Sequence, residues 1–119
     1  MPTWKANKFI ELSEKEYEKY KKTGEAEYLA QAGEKLWNAF KIWLKERTKK
    51  DIKKHAEVED RIKDIYKKEG YDEKLWEIYY RLYKLHLFFY TGEISSLDEA
   101  EAHYKNALRL LERAIKEYR

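Results

Sequence analysis

Two residues of one predicted helix, Arg81 and His86, have the side chains that metal-free RNA cleavage requires. Such a reaction needs a base for the ribose 2′-hydroxyl and a cation for the charge that develops on the phosphate. A histidine exchanges its proton near neutral pH, whereas an arginine keeps its charge. The Arg-x4-His pair therefore predicts a candidate catalytic site in the aromatic-rich segment that runs from Trp76 to Gly92.

The spacing of this pair also supports an interpretation without catalysis. A separation of five residues on a regular helix places two side chains about 140° apart. His86 then joins a row of aromatic residues, whereas Arg81 lies on the outer side and pairs with Glu77, leaving His86 to form a hydrogen bond within a helix interface. A catalytic site would need a symmetric homodimer in which each arginine approaches the histidine of the other copy. We expect the chain to form a homodimer.

A run of basic residues between two predicted helices is a second candidate surface. Its members are Arg47, Lys49, Lys50, Lys53 and Lys54. Basic side chains at this density are typical of contacts to the phosphates of RNA. Asp51 interrupts the run, however, and an ordinary charged connector explains the same pattern and is favoured.

Composition excludes several kinds of site. The chain has no cysteine, so disulfides, thiolate zinc sites and cysteine nucleophiles are ruled out. His55 and His103 are too far from His86 in sequence to form a metal-binding signature, although proximity in the folded chain stays open. We therefore expect no metal and no cofactor. A net charge of +3, from 26 basic and 23 acidic residues, neither requires nor excludes a nucleic-acid partner.

The length of 119 residues predicts a single domain, 1–119. No apolar run approaches the roughly 20 residues of a membrane span, so we expect no membrane contact and a cytoplasmic location. Lys, Glu and Tyr are abundant while Gln and Met are scarce, which is typical of proteins from hot environments.

Helices must position these residues, because only four glycines and one proline interrupt the chain and no segment alternates with period two. The predicted fold is an all-α, up-and-down antiparallel bundle of about five helices. The first helix starts near Pro2 and Thr3, and the last follows a capping box of Ser96 and Glu99. The helices between them cover about 25–46, His55 to Gly70, and Asp72 to Gly92.

Apolar periodicity predicts which faces are buried. The second helix has a wide stripe in which Ala30, Ala32 and Gly33 leave room for a close neighbour. The third is expected to turn His55 inward. The fourth carries two adjacent rows that we expect to be buried on one broad side: Leu75, Ile78, Leu82, Leu85 and Phe89, then Trp76, Tyr79, Tyr83, His86 and Tyr90. Trp4 is the one tryptophan expected to be exposed.

Two stretches resemble the archaeal PaREP-type proteins. They are Gln31 to Ala39 (QAGEKLWNA) and Leu85 to Tyr90 (LHLFFY), and helix order and lengths are similar over nearly the whole chain. The resemblance implies a HEPN-like bundle, a superfamily named for nucleotide binding. Many of its members are ribonucleases or toxins that act as dimers around an Arg-x4-6-His motif. These nucleases usually carry a polar residue after the arginine, where this chain has Leu82.

Three functions follow as expectations. The favoured one is an interaction module that is non-enzymatic or associated with nucleic acid, since Leu82 and the helical phase both oppose catalysis. In the non-enzymatic case the aromatic row of the fourth helix is simply core or dimer interface. The alternative is a metal-independent, toxin-like endoribonuclease that uses Arg81 and His86 at a dimer cleft. A third is a pocket for a nucleotide or other small molecule between the second and fourth helices.

Overall fold

A computed structural model describes residues 4–91 and 96–118 of the chain. These residues form five helices and contain no strand: α1 (Trp4–Thr23), α2 (Ala26–Thr48), α3 (His55–Glu69), α4 (Glu73–Thr91) and α5 (Leu97–Glu117). The all-α prediction is confirmed. None of these five helices combines the length and the apolar character that a bilayer crossing demands.

The helix ends lie where the local sequence signals predict them. Gly24 adopts a positive φ of 72° and donates its N–H to Tyr20 O at 2.7 Å, which closes α1. The hydroxyl of Ser96 accepts a hydrogen bond from the backbone N–H of Glu99 at 3.2 Å, which caps α5. The signals at Pro2, Thr3 and Gly92 lie outside the described residues.

Helix α2 lies at the centre of the bundle. It packs along α1 and also contacts α3, α4 and α5, while α4 and α5 pack along each other. This position explains its wide apolar stripe, because Leu36, Phe40, Trp43 and Leu44 are all fully buried. The short turn between α1 and α2 favours antiparallel packing of these two helices, which contact each other extensively.

Helices α2 and α4 approach each other closely at Gly33. A Cβ placed on Gly33 would lie 2.6 Å from Leu85 Cδ2, well inside van der Waals contact. The predicted role of the small residues around Gly33 is therefore confirmed. This crossing brings Glu34, the next residue of α2, beside His86, the next residue of α4.

Two polar clusters tie the helices together. Inside the bundle, the Ser13 hydroxyl donates to Ala32 O at 2.7 Å and so must accept from Tyr104, 2.8 Å away. At one end, the Arg47 guanidinium binds Glu69 Oε2 at 2.6 Å and donates to the carbonyl of Tyr118. The first cluster satisfies the buried hydroxyls of Ser13 and Tyr104, and the second joins the C-terminal ends of α2, α3 and α5.

The second row of α4 is not buried as predicted. Leu75, Ile78, Leu82 and Leu85 are core residues, but Tyr83 is 38% exposed and Tyr90 is 76% exposed. His55, expected on the inner face of α3, is exposed at its first position. The reason is that α3 packs on α2 and shares few close backbone approaches with α4, so no helix among residues 4–91 and 96–118 covers this flank. Trp4, at 65% exposure, lies in solvent as predicted.

Candidate functional site

Six rings from three helices form a continuous patch, which we call the aromatic ridge: Trp37, His55, Tyr79, Tyr83, His86 and Tyr90. His55 is its junction, since its ring stacks on Trp37 at 5.5 Å and lies 5.5 Å from His86 and 6.2 Å from Tyr83. Tyr79 stacks on Tyr83 at 6.0 Å. The four α4 residues follow one helix face over about 16 Å.

The ridge is buried at its base and exposed at its top. Trp37 is only 5% exposed, and Tyr79 donates its hydroxyl to Glu59 Oε2 at 3.0 Å. Burial, with the hydrogen bond to Glu59, raises the pKa of Tyr79 to about 12, so this hydroxyl stays protonated at neutral pH. Tyr83 and Tyr90, by contrast, present their rings to solvent. The exposed rings of Tyr83 and Tyr90 favour stacking of a planar ligand.

His86 is held by a carboxylate from the neighbouring helix. Its Nδ1 lies 2.9 Å from Glu34 Oε1, and its ring lies 4.5 Å from Tyr90. A carboxylate accepts hydrogen bonds but does not donate them, so Nδ1 carries the proton and donates. In a neutral imidazole, Nε2 is then free to accept a proton. The sequence interpretation that placed His86 in a hydrogen-bonded helix interface is confirmed.

A cleft of about 320 Å³ opens beside this pair, between α2 and α4. Apolar residues form its floor, among them Leu82, Leu85 and Phe89. Its polar lining comes from Gln31, Glu34 and His86, and Tyr90 lies at its edge. A cleft with an apolar floor and a few polar groups is typical of small-ligand sites. It lies where a pocket between the second and fourth helices was expected.

Arg81 lies in a different environment from His86. Its Nε donates to Glu77 at 2.9 Å, as the i,i+4 spacing predicts, and its Nη1 lies 3.3 Å from His103 Nδ1. Because a guanidinium only donates, His103 Nδ1 must be unprotonated in this contact. Burial, followed by the charge of Arg81, lowers the pKa of His103. The structure thus gives Arg81 a histidine partner, His103, on α5.

The predicted phosphate contacts divide into two groups. Arg47 is held by Glu69 and Tyr118, Lys49 closes α2 in a left-handed conformation, and Lys50 lies 3.5 Å from Asp64. Lys53 and Lys54 directly precede His55 and are exposed. Within the described ranges 4–91 and 96–118, neither amino group forms an ion pair with a carboxylate.

Two contributors to this surface were missed by the sequence interpretation. Lys41 places its ammonium group 5.7 Å from the centre of the Trp37 ring, beside the ridge. Glu34 stands in the GEKLW stretch directly after Gly33, yet only the tertiary crossing of α2 and α4 shows that it reaches His86. The one available signal was the small-residue cluster, which marked where another helix approaches.

No group of three or more His, Asp or Glu side chains within residues 4–91 and 96–118 is arranged to hold a metal ion. Comparison with protein-family models, with curated proteins and with solved structures finds no match to this chain.

Proposed function

We propose that this protein is a non-enzymatic module that binds single-stranded RNA along the aromatic ridge. The observation that carries the proposal is the exposure of Tyr83 and Tyr90 beside two histidine rings on one helix flank. Proteins recognise unpaired RNA by stacking its bases on aromatic and histidine rings. Such stacking is worth about 1–3 kcal/mol per base and tolerates any base sequence.

Basic groups at one edge of the ridge supply contacts to the RNA backbone. Lys53 and Lys54 precede His55, and Lys41 lies over Trp37. Two carboxylates beside the rings accept hydrogen bonds from them, Glu34 Oε1 from His86 and Glu59 Oε2 from Tyr79. Few phosphates are contacted in this arrangement, so we expect moderate affinity and a shallow dependence on salt.

Removing the exposed rings tests this proposal. We expect Tyr83→Ala and Tyr90→Ala each to weaken binding of a short polyuridine strand about 5- to 100-fold, the loss of one stacked base. Fluorescence anisotropy of labelled RNA measures the effect. Tyr80→Ala is the matched control, since Tyr80 is 54% exposed on the same helix but contacts His103 on another face.

Salt titrations of the same strand test the phosphate contacts. For each lysine removed, Lys53→Ala or Lys54→Ala, the slope of log K against log salt should become shallower by about 0.7. Lys105→Ala on α5 should leave the slope unchanged. Equal affinity of the wild type and both tyrosine variants would contradict the proposal, as would binding that only Tyr80→Ala weakens.

A metal-independent endoribonuclease is the second candidate, favoured by the hydrogen bond from His86 to Glu34. That bond leaves Nε2 of a neutral His86 as an acceptor, the form that a general base needs. Arg81 contacts Glu77 and His103, so a homodimer in which the partner supplies the cation would complete the site. Cleavage of labelled RNA without added metal, abolished by His86→Ala, would establish this function in place of simple binding.

We also propose that the chain is related to PaREP-type proteins and to the HEPN-like superfamily. The support for this relationship is the five-helix bundle together with the GEKLW stretch, which here forms one wall of the cleft. A cytoplasmic location, where RNA is accessible, and a homodimer are part of this proposal too. Measurement of the molar mass in solution tests the dimer directly.

A further inference from the structure

The cleft between α2 and α4 carries an inference about which base the ridge prefers. We infer that it takes one guanine base that is unstacked from its neighbours in the strand. The carboxylate of Glu34 reads the hydrogen-bonding edge of this base. The inference rests on the proposed function in that the base belongs to the bound strand. A free guanine nucleotide presents the same chemistry, so the experiments below separate the two sources.

The carboxylate of Glu34 determines which ligand edge fits the cleft. Its Oε1 accepts from His86, whereas within residues 4–91 and 96–118 the structure gives its Oε2 no hydrogen-bond partner. A carboxylate has four acceptor positions and takes two parallel donors well. The ligand edge that fits this group therefore offers two adjacent N–H donors and no acceptor between them.

Guanine meets this requirement among the four RNA bases. Its ring N1–H and its 2-amino group point the same way and are spaced to meet the two oxygens of one carboxylate. In cytosine and adenine the amino group stands beside an acceptor nitrogen, and in uracil the single ring N–H lies between two carbonyl oxygens. Those edges would set acceptors against the carboxylate, which leaves polar groups unpaired at a cost in affinity.

The shape of the cleft and the ring beside it also suit a flat base. The cleft has an apolar floor of Leu82, Leu85 and Phe89, its volume is about 320 Å³, and the exposed ring of Tyr90 stands at its edge. A base stacked on Tyr90 would extend the row of rings on α4. His86 orients the reading group, because its Nδ1–H donates to Glu34 Oε1 while the Glu34 side chain stays 45% exposed toward a ligand. A fixed acceptor selects between bases better than a mobile one.

Nucleotide titrations test the base preference by itself. Isothermal titration calorimetry compares guanosine, inosine and uridine 5′-monophosphates, which differ at the edge that Glu34 would read. We expect guanosine monophosphate to bind at least about 10-fold more tightly than the inosine nucleotide, which lacks the 2-amino group. We expect uridine monophosphate to bind weakest. Equal binding of the three nucleotides would overturn the inference.

The variant Glu34→Gln assigns the preference to this residue. The amide oxygen can still accept from His86, but the amide nitrogen opposes the donors of guanine, so the preference for guanosine over inosine monophosphate should disappear. Glu27→Gln, an exposed residue of the same helix, is the control and should retain it. Retention of the preference by Glu34→Gln, with circular dichroism showing an intact bundle, would overturn the assignment.

RNA strands separate this inference from the proposed function. A polyuridine strand is compared with the same strand carrying one central guanosine. Tighter binding of the guanosine strand, lost in Glu34→Gln, supports both proposals. Binding of both strands with equal affinity keeps the ridge as an RNA surface and removes the guanine pocket. Binding of guanosine monophosphate but of neither strand supports a pocket for a free nucleotide and removes the RNA surface.

Discussion

At the level of single residues, two histidines are fixed by charged neighbours of opposite sign. Glu34 accepts a hydrogen bond from His86, whereas Arg81 donates one to His103. The carboxylate therefore directs His86 to act as a donor at Nδ1, and the guanidinium directs His103 to act as an acceptor. The two rings lie on different flanks of α4, so the helix separates an exposed aromatic surface from a structural contact with α5.

His103 should make stability depend on pH. Burial and the charge of Arg81 lower its pKa in the folded state, while in the unfolded chain it takes a proton near pH 6.5. Below about pH 6.5 the unfolded state therefore binds more protons, and the free energy of unfolding falls as the solution is acidified toward the folded pKa. Lys84 adds to this effect and Glu99 opposes it.

Urea unfolding at about pH 7.5 and about pH 5.5 measures this effect. The wild type should lose more stability than His103→Gln over this interval, because glutamine can accept from Arg81 at both pH values. The comparison cancels the contributions of all other titrating groups. A loss of the same size in both proteins would show that His103 is not held neutral by its surroundings.

At the level of helices, the pattern of exposure follows from how α3 and α4 meet. Both pack against α2, but their backbones approach each other closely at few points, and long aromatic side chains span the remaining distance. Tyr79 reaches Glu59, and His55 reaches Tyr83. The gap leaves one flank of α4 without a covering helix. The aromatic ridge is therefore a product of helix placement and not of the α4 sequence alone.

The close approach of α2 to α4 supports a prediction about Gly33. Gly33→Ala should lower the free energy of unfolding by about 1 kcal/mol, since overpacking costs about 1–3 kcal/mol and the gain in helix propensity returns part of it. The clash is with Leu85, whose side chain is only 2% exposed. Denaturant unfolding of the purified variant measures the change.

A double-mutant cycle checks the cause of that loss. In a Leu85→Ala background the space for a methyl group exists, so Gly33→Ala should become neutral or stabilising. Leu85→Ala alone should cost about 2–5 kcal/mol. An unchanged penalty for Gly33→Ala in the Leu85→Ala background would place the strain elsewhere.

Local signals predicted the helices well and the site less well. Glycine stops, the Ser96 cap and apolar periodicity act within a few residues, so α1 to α5 fall within a few residues of the predicted bounds. The helical phase also separated Arg81 from His86. The partners of these residues, His103 and Glu34, come from other helices, and no pattern within one helix contains that information. Burial of Tyr83 and Tyr90 was predicted wrongly because periodicity shows an apolar face but not whether a neighbour covers it.

At the level of the whole molecule, charge is nearly balanced and the proposed binding surface is local. The described part of the chain measures 42 × 28 × 23 Å, and the full sequence carries a net charge of +3. For the proposed RNA binding, we therefore expect long-range attraction to be weak and stacking to supply most of the affinity. At one end of the bundle Arg47 binds Glu69 and the carbonyl of Tyr118, so it stabilises the fold. Lys53 and Lys54, by contrast, are exposed to solvent.

Mapping the proposed RNA-binding surface by nuclear magnetic resonance tests the central claim most directly. Polyuridine is titrated into isotopically labelled protein while the aromatic side-chain signals are followed. The account predicts that Tyr83, Tyr90, His55 and His86 shift together, whereas Tyr71, which is 71% exposed but lies outside the ridge, and His103 do not. Shifts confined to His103 and Tyr80, or no shifts on the flank of α4 that carries Tyr83 and Tyr90, would contradict it.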